Sequence, residues 1–380
     1  MLQELSPDQE FFRETTAKFL DDQAPVAELR RLRDDPAGFD REYWRRGADL
    51  GWTSLLVGEE QGGGSISGEG LVDLTLIAHE FGRHAAPGPL VPNNVVAAAL
   101  SSAGDAHTDV LNDLLSGAAI ASWCSGEPCP NDRLGTVTLE IRVDGNDVVL
   151  NGVKRPVEST GQADHLLVVG RTGTGTGLTQ VLVPADTPGV SVVPMKTVDL
   201  TRRFGVVTFD DVRVPANAVI GDIGGADAQV ERQLQLAAVM ITAEAVGAMQ
   251  HAFEITVDWA FQRYSFGRPL ASYQELKHRF ADMKAWLEAS HAISDTAAAA
   301  VESRSPDAME LVSVAKAFVG DYGAELVQDC VQIHGGIGVT FEHDMHLYLR
   351  RVTLDRILYG TPADHRQRIA AAVEQREVAA

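Results

Sequence analysis

Cysteine is scarce in this chain: Cys124, Cys129 and Cys330 are its three copies in 380 residues. Three thiols cannot build a disulfide framework. The CSGEPC pair has no second ligand pair to complete a metal or redox site, so buried or loop thiols are expected. Basic residues are also in short supply, 32 Lys and Arg against 53 Asp and Glu, for a formal charge of −21. That balance argues against nucleic acid or an anionic membrane surface as the main partner, while leaving room for an anion held by a local basic cluster. No segment is expected to be long and apolar enough to cross a bilayer. The start MLQELSPDQEFF lacks the basic end and apolar centre of a signal peptide, so a cytoplasmic protein is expected. The glycine runs QGGGSISGEG and RTGTGTG lack both the strand-then-helix setting of a dinucleotide fingerprint and the Gly-Lys-Ser/Thr of a P-loop, and read as flexible turns. No Ser-His-Asp set stands out, and the eleven histidines are scattered.

What is present is periodicity. Ser6 as N-cap, Pro7 at the first helical position and Gln9 three residues on predict a capping box opening a first helix. Residues 1–118 read mainly as helix, with apolar side chains three and four apart in FFRETTAKFL and LVDLTLIAHEFG. From 119 to 225 the pattern changes to short β-rich runs (VTLEIRV, DVVL, HLLVVG, TQVLVP, GVSVVP, GVVTF) separated by turns such as DGND, which predicts a small barrel or sandwich. The helical period returns in 226–380, with long segments at 229–264, 271–302, 307–333 and 362–376, enough for an antiparallel bundle. The expected architecture is α+β and multidomain: helical, then β, then helical.

Three stretches carry candidate chemistry. In AAVMITAEAVGAMQ, Glu244 is the only charged residue between Arg232 and His251. A lone carboxylate in buried helix is costly unless paired, neutralised or used. Its same-face neighbours are Met240, Ile241, Gly247 and Ala248, and the small ones leave room for a flat ligand while the apolar ones raise a carboxyl pKa. A structural alternative is pairing with an arginine across the bundle. In HGGIGVTFEHD, Gly335 and Gly336 follow an amphipathic helix, permitting either a C-cap or close backbone approach to a ligand. RYSFGRP closes another long helix with a guanidinium, a ring and a Gly-x-Pro break, a trio able to clamp a pyrophosphate and a flat ring.

Taken together and in order, GWTSLLVGEEQGGG, CSGEP, NGVK, TFDDVRVPANAVIG, RYSFGRPLASYQELKHRFADM and QIHGGIGVTFEHD resemble the acyl-CoA dehydrogenase family over nearly the whole chain. The likeness extends to the actinobacterial-type branch that includes heteromeric sterol side-chain dehydrogenases. It implies an N-terminal α-helical domain (1–118), a middle β-barrel (119–225) and a C-terminal four-helix bundle (226–380). It also implies FAD, an acyl-CoA substrate, a homo- or heterotetramer (or dimer), and electrons passed to an electron-transfer flavoprotein, with no nucleic acid and no membrane. The reaction so implied is α,β-dehydrogenation to a trans-2-enoyl-CoA in fatty acid or sterol β-oxidation.

Motif by motif, Arg263, Ser265 and Phe266 match contacts to the FAD of a neighbouring subunit. Gln274 matches the glutamine reaching the same pyrophosphate, and Gln332, Gly335 and Gly336 match the adenosine cradle. Trp123 and Ser125 align with flavin-ring positions, and Thr361 counts among the cofactor residues. Departures cluster on the ring side: Gly126 stands before Glu127-Pro128 where the family has threonine, Pro130-Asn131-Asp132 replaces Gly-Ser-Asp, and Pro156-Val157-Glu158 replaces aromatic-x-Thr. Tyr359 stands before Gly360-Thr361, where many members carry the catalytic glutamate, and a phenol of pKa about 10 is a poor α-proton base. Some branches take that glutamate from an A-E-x-x-G helix, which 243–247 matches, so Glu244 is the expected base. Two rivals stand beside that assignment: a non-catalytic partner subunit completing a neighbour's flavin site, and a flavin monooxygenase or nitroalkane-oxidase-like relative on the same scaffold.

Overall fold

The computed structural model describes residues 5–173 and 177–379, so part of the RTGTGTG turn lies outside the described residues. In chain order the helices α1 (Pro7–Gln23), α2 (Val26–Leu29), α3 (Arg41–Asp49), α4 (Gly70–Arg83), α5 (Leu90–Ser102) and α6 (Thr108–Leu115) come first. The strands β1 (Ala121–Cys124), β2 (Glu140–Asp144), β3 (Asp147–Glu158), β4 (His165–Thr172), β5 (Leu178–Pro184), β6 (Val190–Met195), β7 (Phe204–Pro215) and β8 (Val219–Ile220) follow. The chain then forms α7 (Asp227–Gln262), the two-residue strands β9 (Tyr264–Ser265) and β10 (Arg268–Pro269), and α8 (Gln274–Glu302), α9 (Ala308–His334), α10 (Met345–Ile357) and α11 (Pro362–Ala379).

By internal contact these elements fall into two units, one holding residues up to 30, 71–86 and 238 onward, the other 31–70 and 87–237. In this partition α1 and α4 group with the C-terminal helices.

The second unit is organised by one mixed sheet of order β6-β7-β3-β2-β4-β5-β8, with β1 added to β4. β4 runs parallel to both β1 and β2, and its other neighbour β5 is antiparallel. Buried on both faces, β4 and β5 read as nearly continuous apolar runs. The core beneath them is made by Ile141, Leu150, Val168, Val181, Phe209 and Val212, joined by the thiol of Cys124. Burial pushes that thiol up to about 12, so it is inert, while Cys129 is exposed and free.

The first unit is helical. Its opening capping box forms as the sequence predicts: Gln9 N–H donates to Ser6 Oγ at 3.2 Å and Ser6 N–H to Gln9 Oε1 at 3.1 Å. Helix α9 packs against α8, α10 and α11. Helix α10 was not anticipated. Met345, Leu347, Tyr348, Arg351, Val352 and Asp355 are all buried, so charged residues stand on its inward face as well as its outward one and blur the helical period. A second correction concerns α7, which does contain an 18-residue window apolar enough, by length and composition, to cross a membrane (mean hydropathy 1.3). Since 83% of that window is buried inside the protein, α7 is a core helix.

Candidate active site

Glu244 sits in the buried part of α7, 3% exposed between Ala243, Ala245 and Ala248. The space expected beside it is not there. A Cβ on Gly247 would stand 1.9 Å from the carbonyl oxygen of His79, and one on Gly82 would stand 1.8 Å from the carbonyl oxygen of Glu244. The small residues therefore let α4 and α7 cross backbone against backbone, and the gap read as a ligand slot is filled by α4. The carboxylate is also paired. Arg351 of α10, with no exposed surface, donates Nη1–H to Glu244 Oε1. Its Nη2 donates to the carbonyls of Ala85 at 3.1 Å and Ala86 at 3.0 Å, just past the end of α4. One guanidinium thus ties together α7, α10 and the chain leaving α4, and the carboxylate it holds is sealed from water. Such a pair contributes little against an apolar substitute, but losing one partner strands a buried charge.

Tyr359, at the position of the family's usual base, adopts a left-handed backbone with φ of 57°. Its carbonyl accepts from His365 Nε2 at 3.0 Å, while His365 Nδ1 faces Ser313 Oγ at 3.1 Å. Thr361 caps α11: its N–H and hydroxyl both donate to Asp364 Oδ2, at 2.9 and 2.6 Å, and Asp364 N–H returns to the hydroxyl at 3.2 Å. The structure thus gives Thr361 a capping role within its own chain.

The residues matched to the adenosine side are arranged quite differently. Tyr264–Ser265 and Arg268–Pro269 form a two-stranded hairpin whose central residues, Phe266 and Gly267, have φ of 50° and 82°. Two positive φ values in a two-residue loop make a type I′ turn, which strains phenylalanine but not glycine. The Phe266 ring is 98% exposed. Tyr273 braces the turn, its hydroxyl donating to Ser265 O at 2.7 Å and its ring lying 3.9 Å beneath the Arg268 guanidinium. Arg263, Gln274 and Gln332 are exposed, and the Gln274 amide meets only its helical neighbour His278, at 2.8 Å. Gly335 turns the chain out of α9 at φ of 67°, and nothing stands within 4 Å of where a Cβ on Gly335 or Gly336 would be. Exposed donors and two open glycines suit the pyrophosphate and adenosine of a dinucleotide.

The ring-side residues belong to the other unit and fit less well. Trp123 is 5% exposed on β1, and the Ser125 carbonyl accepts from Lys154 Nζ at 3.3 Å. A Cβ on Gly126 would lie 2.9 Å from the carbonyl of Arg155, so a threonine at this position would need the backbone to shift. Two ion pairs then fill the neighbourhood. A register shift in β3 between Lys154 and Val157 accompanies a wholly buried Lys154, whose Nζ reaches Glu127 Oε1 at 2.8 Å. The same carboxylate accepts from the N–H groups of Thr138 at 2.7 Å and Leu139 at 2.9 Å. Burial opposes the charge on Glu127, but Lys154 and these donors outweigh it and hold the carboxyl below its usual range. Glu158, where the family places a hydroxyl, takes a two-pronged bond from Arg202 at 2.7 and 2.6 Å. The adenosine-side residues fit FAD; on the ring side the hydroxyl donors are replaced by paired charges.

Three family models cover this chain: the acyl-CoA dehydrogenase N-terminal domain over residues 6–117, the middle domain over 131–212 and the C-terminal domain over 224–374. The chain belongs to the acyl-CoA dehydrogenase family. These are FAD-dependent oxidoreductases acting on CH–CH bonds, built as a helical N-terminal domain, a mixed sheet and a helical C-terminal domain. It is 30% identical over 371 residues to acyl-CoA dehydrogenase IpdE2 of Mycolicibacterium smegmatis, covering 97% of this chain and 100% of that one. Isobutyryl-CoA dehydrogenase of Dictyostelium discoideum mitochondria is 29% identical over 335 residues, covering 86% and 80%. Among solved structures, a variant of the Tcur3481-Tcur3483 steroid ACAD superposes with a TM-score of 0.87 at 27% identity, over 97% and 98% of the two chains.

Within the acyl-CoA dehydrogenase frame, sequence reasoning missed Arg351, Lys154 and Arg202, the cations that pair with Glu244, Glu127 and Glu158. The signal for Arg351 was fainter than that for Glu244, because LYLRRVTLDRIL also holds Arg350, Asp355 and Arg356 and no single charge stands out.

Proposed function

We propose that this chain is the subunit of a heteromeric, FAD-dependent acyl-CoA dehydrogenase that does not supply the α-proton base. It lends its hairpin and glycine turn (Arg263, Ser265, Phe266, Gln274, Gln332, Gly335 and Gly336) to the adenosine half of an FAD whose ring sits in the companion subunit. The carrying observation is Glu244 held by Arg351 at a closed helix crossing while tyrosine occupies the usual base position. A base must present a free carboxylate oxygen to the substrate's α-carbon. For Glu244 to do so it would have to abandon a wholly buried guanidinium, at about 3–5 kcal/mol, and α4 would have to move aside. FAD, when bound, supplies the hydride acceptor; this chain's residues position it and exclude water. The likeness to a steroid ACAD supports a bulky, steroid-type acyl group, and an electron-transfer flavoprotein is the acceptor proposed.

The test is to purify the chain alone and co-expressed with candidate companions, then measure bound flavin and acyl-CoA-dependent reduction of an artificial acceptor. Turnover is expected only from the mixed assembly, and Glu244→Gln in that assembly should keep its rate per bound flavin. If the lone chain turns over and the variant retains FAD but loses the rate, Glu244 is the base after all.

A further inference from the structure

Beneath the adenosine-side residues lies an aromatic column to which no cofactor role has been assigned. Trp259 of α7 stacks on His334 of α9, centroids 5.2 Å apart and planes 19° from parallel. His334 in turn meets His343, at 4.6 Å, just before α10. The Arg263 guanidinium also lies over the indole, 5.9 Å from the ring centroid, and Arg263 N–H donates to Trp259 O at 2.8 Å. Each imidazole is oriented: His334 Nδ1 pairs with the carbonyl of Cys330 at 2.8 Å, and His343 Nδ1 accepts from Met345 N–H at 3.1 Å. The segment following the glycines is pinned as well. Arg30, directly after α2, donates Nε–H to Phe341 O at 2.7 Å and Nη2–H to Glu342 O at 3.1 Å, and pairs with Asp344.

Two halves of the cradle come from segments far apart in sequence, Arg263–Phe266 and Gln332–Gly336. The column touches both. His334 directly precedes Gly335, and Trp259 carries Arg263 one helical turn on. We propose that Trp259, His334 and His343, braced by Arg30, are positioning residues for FAD: the Trp259–His334 stack, with His343 tilted 57° against it, fixes the distance between the arginine and the open glycines. Flat rings suit the task because stacking resists changes of separation without needing a charged group in the cradle. A pre-set cradle avoids the ordering cost that a loose one pays on binding.

This inference rests on the cradle assignment above, and its test separates the two. FAD affinity of the mixed assembly is measured by titrating flavin fluorescence after removing the cofactor, and thermal melting is recorded without FAD. Trp259→Ala and His334→Ala should weaken FAD about tenfold, as expected when a pre-formed site is loosened. Trp259→Phe and His334→Phe, which keep a flat ring, should restore most of that affinity. Cofactor-free melting of the Phe variants should match the unaltered chain. Wild-type affinity in both alanine variants overturns the inference. So does an equal loss in the Phe variants, which would show that the column contributes something other than a stack. Arg263→Ala and Phe266→Ala are the control: if neither weakens FAD, the cradle assignment itself fails, whatever the column variants do.

Discussion

Two stretches of helix α7, its middle and its C-terminal end, put polar chemistry to opposite uses. Near Glu244 every charge is answered inside the chain, α4 presses on the helix backbone, and no free carboxylate oxygen faces outward. Past Trp259 the donors are exposed, the glycines stand open, and a phenylalanine is held in a strained backbone with its ring in solvent. A closed pair is what a fold needs for itself; an open, strained cluster is what it keeps for something it does not contain. The contrast separates the residues this chain requires to be folded from those it offers to a partner.

The sharpest way to break that contrast is Arg351→Met, which takes the buried guanidinium away from Glu244. Urea unfolding should show a loss of about 3–5 kcal/mol, and the double variant with Glu244→Gln should recover much of it, as a coupled buried pair demands. A small loss in the single variant would mean that the carboxylate finds another neutral or wet state, and the base assignment would reopen.

Next comes Gly247→Ala. The added methyl meets the His79 carbonyl at a distance no packing tolerates, so the helices must separate, at about 1–3 kcal/mol or more. Differential scanning calorimetry reads this directly; an unchanged melting temperature would mean that the crossing is looser than described.

A third probe uses pH. Lys316, buried on α9 with Nζ donating to Asp355 O at 2.6 Å, is pushed down to about 7 by desolvation, against the pull of Asp355. The unfolded lysine holds its proton to about 10.4, so between these values the unfolded chain binds more protons. Stability should therefore rise with pH above about 7, by on the order of 1 kcal/mol per unit. Lys316→Met should flatten that rise; a slope that survives belongs to other groups.

The smallest effect has the opposite sign. Phe266→Gly relieves a left-handed phenylalanine and should stabilise the isolated chain by about 0.5–1 kcal/mol while lowering FAD affinity in the assembly. Stabilisation without loss of affinity would show the ring to be idle.

Much of this was legible in the chain. The capping box, the change from helical to β periodicity and the motifs of the cradle follow from local pattern, and local pattern is what a sequence displays. The fate of Glu244 does not. It depends on Arg351, 107 positions away, on a helix whose charged residues fall on the buried face as well as the exposed one, which blurs the period that would have revealed it. The A-E-x-x-G context was equally ambiguous: small residues on a helix serve a ligand or another helix alike, and only the path of α4 decides. The replaced hydroxyls at Gly126 and Glu158 were visible as departures, but not that their neighbourhood would close over two ion pairs.

The bare ring of Phe266 carries a consequence for the living protein. On the proposed function its contacts lie on another chain, so cofactor and companion are linked by mass action: each holds the other in place. Dilution should then strip the flavin, flavin shortage should loosen the assembly, and yellow colour should report subunit concentration as much as affinity.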